Sequence, residues 1–182
     1  MMMNSIWANT VELPKFPRLE HDLKTDVLIV GGGIVGILCA YELAQTNIDY
    51  TLIEADTICH GVSRNTTAKL TSQHSLIYDK LIRQFGTDAA GLYWHANEAA
   101  LKRFQQLSEI IPCDFEQESA YVYTLDHSNK LENELRALEK IGVCAEYVKQ
   151  LPLPFPVFGA IRFDRQAQFH PLKFIAGEQS PQ

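Results

Sequence analysis

Gly31, Gly33 and Gly36 form a G-x-G-x-x-G pattern within Gly31-Gly32-Gly33-Ile34-Val35-Gly36. That spacing suits a dinucleotide pyrophosphate. A glycine at the first position permits a tight turn. One at the second lets a phosphate reach the backbone, and one at the third lets the following helix pack closely on a strand. The helix that opens there would offer unpaired N–H groups and positive partial charge to phosphate. Glu54, 21 residues after Gly33, lies at the spacing expected of a carboxylate for the ribose hydroxyls of an adenosine. Its charge would repel a 2′-phosphate, which disfavours NADP. The plainer reading is a glycine turn in a parallel-sheet protein that binds no dinucleotide.

A second constellation follows as Gly61-Val62-Ser63-Arg64-Asn65-Thr66-Thr67-Ala68. Hydroxyls, small residues and one arginine suit a further layer of phosphate contacts. In a doubly wound sheet this stretch can swing back toward the nucleotide. Its plainer reading is a solvated loop or a helix cap.

These residues need elements to hold them. Residues 26–30 form a short apolar run that predicts a buried parallel strand. A helix is expected from Ile34 to about Thr46, with Ile37, Tyr41 and Ala44 on one face, and a second strand over 50–54. Strand, helix and strand fill about 30 residues, the size of one βαβ unit. Residues 4–26 read as an arm, broken by Pro14 and Pro17, which Trp7, Leu13 and Phe16 could pin to the body.

Residues 55–75 predict a long loop with a possible helix start. Helices are expected over 76–85 (Ile77, Leu81 and Phe85 inward) and 88–111 (Leu92, Ala96, Ala99, Phe104 and Leu107 inward), separated by Gly86. Residues 114–116 and 120–124 predict two short paired strands. An amphipathic helix over 131–141 stops at Gly142. Residues 146–148 and 160–163 are strand candidates, 151–156 a proline-rich connection, and Pro171 opens a last helix.

Net charge is −6, the pI is near 5.5, and no basic stripe is present, so neither nucleic acid nor an anionic membrane is an expected partner. Cys39, Cys59, Cys113 and Cys144 show no metal spacing, so no metal site is expected. They read as free thiols in a reducing compartment, with Cys39 packed inside its helix. No signal peptide and no run of ~18 apolar residues is found, and the cytoplasm is the expected setting.

The fingerprint, Glu54-Ala55-Asp56 and the 61–68 stretch resemble the D-amino-acid-oxidase/glycine-oxidase superfamily of FAD-dependent oxidoreductases. A closer resemblance, to the bacterial subgroup that usually carries a C-terminal Rieske iron–sulfur domain, rests on four features. They are the Trp7 arm, the run Thr66-Thr67-Ala68-Lys69-Leu70-Thr71-Ser72-Gln73-His74, Leu76-Ile77-Tyr78-Asp79, and Phe169-His170-Pro171-Leu172.

The resemblance implies an α/β fold: a Rossmann-like FAD-binding domain with a parallel sheet, plus a partial α+β cap. The expected division is an arm over 1–26, an incomplete FAD domain over 27–112 and 157–182, and a cap insertion over 113–156. FAD is the implied cofactor, its ADP half on Gly31, Gly33, Ile34, Val35, Gly36, Glu54 and Ala55. Ser63, Arg64, Thr66 and Thr67 would lie near the pyrophosphate or flavin. The implied substrate is a small amine or amino acid that gives a hydride to the flavin. No catalytic residue is nominated. His74 and Tyr78 lie nearest the cofactor loop and read as surface or packed groups.

Members of the superfamily are about twice this long, and no Rieske pair of Cys-x-His and Cys-x-x-His motifs is present here. The chain therefore reads as truncated, with exposed edges that favour self-association. Two further readings stay open: an inactive nucleotide-binding fragment, and an NAD-dependent dehydrogenase domain.

Overall fold

A computed structural model describes residues 5–126 and 129–178. The polar tail expected beyond Ile175 falls partly outside them, as do residues 1–4. The chain divides into two compact units, one of residues 1–68, 108–114 and 169–182, the other of residues 69–107 and 115–168.

The first unit contains the expected βαβ. Strand β1 (Val27–Val30) and strand β2 (Tyr50–Ile53) pair in parallel, Val27 beside Tyr50 and Val30 beside Ile53. Helix α1 (Ile34–Ala44) joins them and packs on both. Helix α4 (Pro171–Glu178) lies against α1 and against a 3-10 turn at Val62–Asn65. Ile37, Ile58, Ile111, Leu172, Phe174 and Ile175 are buried here, and Phe169 meets Phe174 edge to face.

Apolar residues also face outward. Leu28 is 55% exposed, Val30 76% and Val35 73%, which leaves one sheet face and part of α1 open in this unit. Cys39, expected inside its helix, is exposed, because Ile37 is the residue that α1 buries. Trp7 does pin the arm, whereas Phe16 stands in solvent.

The second unit is built on an antiparallel sheet. Strand β6 (Gly159–Gln168) is central and pairs with β3 (Lys69–Leu70), β4 (Glu116–Thr124) and β5 (Glu146–Val148). Helix α2 (Tyr78–Ser108) is two helical segments that meet in a kink at Gly86, the expected break, where a non-helical backbone with φ of +86° suits glycine. Helix α3 (Lys130–Lys140) ends before Gly142, at φ +76°. Tyr78, Leu131, Leu138, Ile161 and Phe163 form the core, with Leu76, Ile77, Leu81, Ile82 and Trp94 packed around it.

Two expectations are corrected here, on β4 and on α2. Residues 114–116 and 120–124 are not two strands paired with each other; 116–124 is one strand, with a register shift between Glu118 and Ala120, paired along its length to β6. Residues 69–107 and 157–168, expected in the FAD domain, lie in the second compact unit, where β6 forms its ladders. The inward face of α2 carries Ala90, Tyr93, Trp94, Leu101 and Leu107, while Phe85, Leu92, Ala96 and Ala99 are exposed.

Candidate functional site

The glycine turn after β1 is built as its spacing requires. Gly31 has a φ of +111°, a conformation that L side chains rarely adopt, and its N–H donates to the Ile53 carbonyl at 2.8 Å. A methyl group on Gly36 would fall well inside contact distance of the Gly31 carbonyl oxygen and touch Ile29, so only glycine lets α1 start this close to β1. Gly33 forms the extended N-cap of α1, and a Cβ there would sit 3.3 Å from Ser63 Oγ. Ile34 and Val35 open the helix, where first-turn N–H groups lack intrahelical acceptors. One of them has an acceptor from elsewhere in the chain: Ile34 N–H donates to Ser63 Oγ at 2.9 Å.

Glu54 follows β2 and comes back to the turn. One carboxylate oxygen accepts the Gly32 N–H at 2.7 Å, and the other accepts the N–H groups of Ala55 and Asp56 at 2.7 and 3.2 Å. These donors, Gly32 first, hold the carboxyl below its ordinary range, so it is charged at neutral pH. Glu54 is exposed, which leaves it reachable by ribose hydroxyls. Ala55 sits beside it and joins the site through its main chain.

The second constellation meets the first at Ser63, which is buried and lies in the 3-10 turn. Arg64 donates from Nη2 to the Ala8 carbonyl at 3.0 Å, so part of its guanidinium holds the arm. The Thr66 carbonyl accepts the Trp7 indole N–H at 2.9 Å, and Thr66 Oγ1 accepts the Ala68 N–H. Thr67 is exposed. The structure thus joins Gly32, Gly33, Ile34, Glu54 and Ser63 directly and reaches Arg64 and Thr66 through the arm.

Two groups were missed at the sequence level. Cys59 is buried under the turn, its N–H on the Gly32 carbonyl at 2.9 Å, and burial pushes its thiol up to about 11, which makes it a poor nucleophile. Its φ of +56° has no sequence signal. Trp7 and His170 brace the second constellation, and their distance in sequence hid the link. His74 is exposed and bonded to Tyr93, while Tyr78 lies in the core of the second unit. Among the described residues no cluster of His, Cys, Asp or Glu could hold a metal ion, and no helix is long and apolar enough to cross a membrane.

Residues 26–179 match the sequence pattern of the FAD dependent oxidoreductases. The chain belongs to that family. A Bacillus subtilis (strain 168) protein described as a Rieske 2Fe-2S iron-sulfur protein, YhfW, is 39% identical over 173 residues, covering 93% of this chain and 34% of its own length. The gamma-glutamylputrescine oxidoreductase of Escherichia coli (strain K12) is 25% identical over 94% of this chain and 42% of its own length. The chain therefore spans well under half the length of these curated relatives. In fold it is similar to L-proline dehydrogenase from P. horikoshii, with a TM-score of 0.65 at 18% identity, over 85% of this chain and 40% of that one.

FAD is the family's cofactor, and the site fits it. Any side chain at Gly36 would fill the space where α1 begins, Gly33 leaves backbone open at the helix start, and a charged carboxylate stands at the end of β2. The expected Rossmann-like α/β fold is the fold found.

Proposed function

We propose that this chain is the FAD-binding portion of a flavin-dependent oxidoreductase of amines or amino acids. The observation that carries the reading is the joint placement of the Gly31–Gly36 turn, the Glu54 carboxylate and Ser63 around the start of α1. The open first-turn N–H groups at Gly33, Val35 and Gly36 would face the pyrophosphate, with the helix dipole behind them. Glu54 would take the ribose hydroxyls. Ser63, Arg64, Thr66 and Thr67 would line the pyrophosphate or flavin side. FAD, when bound, supplies the acceptor for a hydride from a carbon beside an amine nitrogen. The substrate class is supported by relatives named for a glutamylputrescine and for proline. The antiparallel unit, which contains most of the expected cap, is assigned the substrate side.

The proposed setting is the cytoplasm, consistent with the free thiols of Cys39, Cys59 and Cys144. The proposed mode of association is with further copies through Leu28, Val30 and Val35. A stable monomer on dilution below micromolar concentration would count against that contact.

The deciding experiment is an absorption spectrum before and after excess FAD and desalting. A retained flavin band is expected, and amines and amino acids are then screened for bleaching it. A colourless protein that binds ADP alone would reduce the reading to a nucleotide-binding module. NADH binding without flavin would replace it with a dehydrogenase domain.

A further inference from the structure

Residues 62–68 have no strand partner, yet the reading above rests much of the cofactor site on them. What fixes them is a set of ties from distant parts of the first unit. Ser63 Oγ accepts from Ile34, and the Ala68 carbonyl accepts the Phe169 N–H at 3.3 Å. Two more ties come from the N-terminal arm: the Trp7 indole N–H on the Thr66 carbonyl at 2.9 Å, and Arg64 on the Ala8 carbonyl at 3.0 Å.

The arm is itself braced at this point. The Trp7 ring stands edge-on to His170, with centroids 4.9 Å apart. His170 Nδ1 accepts the Lys173 N–H at 3.1 Å, which places the ring proton on Nε2, and Nε2 donates to Thr10 Oγ1 at 2.8 Å. Thr10 in turn donates to the Trp7 carbonyl at 2.7 Å. His170 is buried, and its own N–H is held by the Cys113 carbonyl at 2.7 Å. The indole is thus gripped through both its ring and its main chain, more than an apolar pin requires.

We propose that Trp7 is a positioning residue of the cofactor site. Its indole N–H, braced by His170 and Thr10, sets the main chain at Thr66. The Ser63–Thr67 stretch then stands ordered beside the start of α1 before FAD arrives. The inference rests on the functional reading above. Pre-ordering a loop strengthens binding by removing the cost of ordering it on contact.

The test uses the full chain and its Trp7→Phe variant, which keeps a ring beside His170 and removes the N–H. Three quantities are read: amide hydrogen exchange without FAD, FAD affinity from flavin fluorescence, and thermal melting. The expected result is faster exchange confined to residues 62–68, with residues 27–44 unchanged. FAD binding should weaken roughly threefold to tenfold, the range of one net hydrogen bond. A lowered melting temperature with unchanged FAD affinity would overturn the proposal, because the arm would then be structural only. Unchanged exchange at 62–68 would overturn it as well. If Trp7→Phe does not fold, Thr10→Val, which leaves the indole in place and removes its brace, must show the same pattern in smaller degree, and wild-type values there overturn the proposal. Wild-type protein that binds no FAD defeats the functional reading itself; wild-type protein that binds FAD as tightly as Trp7→Phe defeats this inference alone.

Discussion

Ser63 Oγ lies 2.9 Å from the Ile34 nitrogen and accepts its N–H, so a hydroxyl 29 residues downstream caps the helix that follows the glycine turn. Gly33, the residue at the N-cap, has no side chain to do so. Ser63→Ala leaves that amide without its acceptor. The expected cost is about 0.5–2 kcal/mol, the range for loss of an N-cap oxygen, read from urea unfolding. Ser63→Thr keeps the oxygen and should recover most of the loss. Equal stability of Ser63→Ala and wild type would mean that water replaces the hydroxyl without cost.

Gly36 and Gly61 are both glycines of the candidate site, yet substitutions at them should behave oppositely. A Cβ at Gly36 meets the Gly31 main-chain carbonyl, which cannot rotate away as a side chain would. Gly36→Ala therefore pushes α1 off β1, with an expected loss of about 1–3 kcal/mol, the range for overpacking, and loss of FAD retention on desalting. A Cβ at Gly61 meets nothing within 4 Å. Gly61→Ala should leave α1 seated on β1 and FAD retained on desalting. A Gly36→Ala protein as stable and as yellow as wild type would show that the close approach of α1 to β1 is not needed.

The βαβ unit was legible because its signals are local: an apolar run, three spaced glycines and an acidic residue at the right distance. The antiparallel unit was legible only in pieces. Strand β6 reads as a strand over Ala160–Phe163 and then turns polar through Asp164, Arg165 and Gln166. Its second half is held by pairing, and by Gln166, whose buried amide oxygen accepts the Ser72 N–H at 2.7 Å. Strand β4 was split in two because Gln117, Glu118 and Ser119 carry no β signal and the register shifts among them. On α2, Leu92 looks like core and is 71% exposed, while Tyr93 and Trp94 beside it pack inward. Apolar type alone does not tell which stripe a neighbouring sheet will cover. Within the site, the fingerprint and Glu54 could be found from spacing. The brace through Trp7, Thr10 and His170 could not, since it joins residues 160 apart.

His170 supplies an acid-sensitive contact within the first unit. Burial lowers its pKa below the ordinary 6.5, Lys173 lowers it further, and Asp114 opposes them. The folded state therefore holds the neutral ring, and the unfolded chain takes up a proton first. Stability from this residue is complete above about pH 6.5 and is lost as pH falls toward and through the lower folded value. Protonation would also remove the acceptor for the Lys173 N–H. Melting temperatures measured from pH 7.5 to 5 should fall more steeply in wild type than in His170→Gln, which cannot titrate. Parallel curves would show that His170 carries no share of the acid sensitivity.

Glu134 looks like a solvent-facing helix charge and is only 1% exposed. One carboxylate oxygen accepts the Tyr78 N–H at 2.8 Å and the other the Asp79 N–H at 2.9 Å, so a residue of α3 caps the start of α2. The positive end of the α2 dipole favours the charge, while desolvation raises its pKa above the ordinary 4.5 and outweighs the backbone donors that lower it. A raised folded pKa means that the residue's contribution is complete below about pH 4.5 and declines as pH rises through the folded value. Glu134→Gln should therefore lose less, relative to wild type, at neutral pH than at pH 4. Glu134→Ala should cost about 1–3 kcal/mol for each amide left without an acceptor, the larger share from Tyr78, which is fully buried. The loss should appear in the antiparallel unit by hydrogen exchange, at residues 76–82 and 130–138, and leave the amides of β1 and α1 unchanged. An alanine variant within 0.5 kcal/mol of wild type, below the usual cost of one lost hydrogen bond, would mean that water reaches the start of α2 and that Glu134 is not its cap.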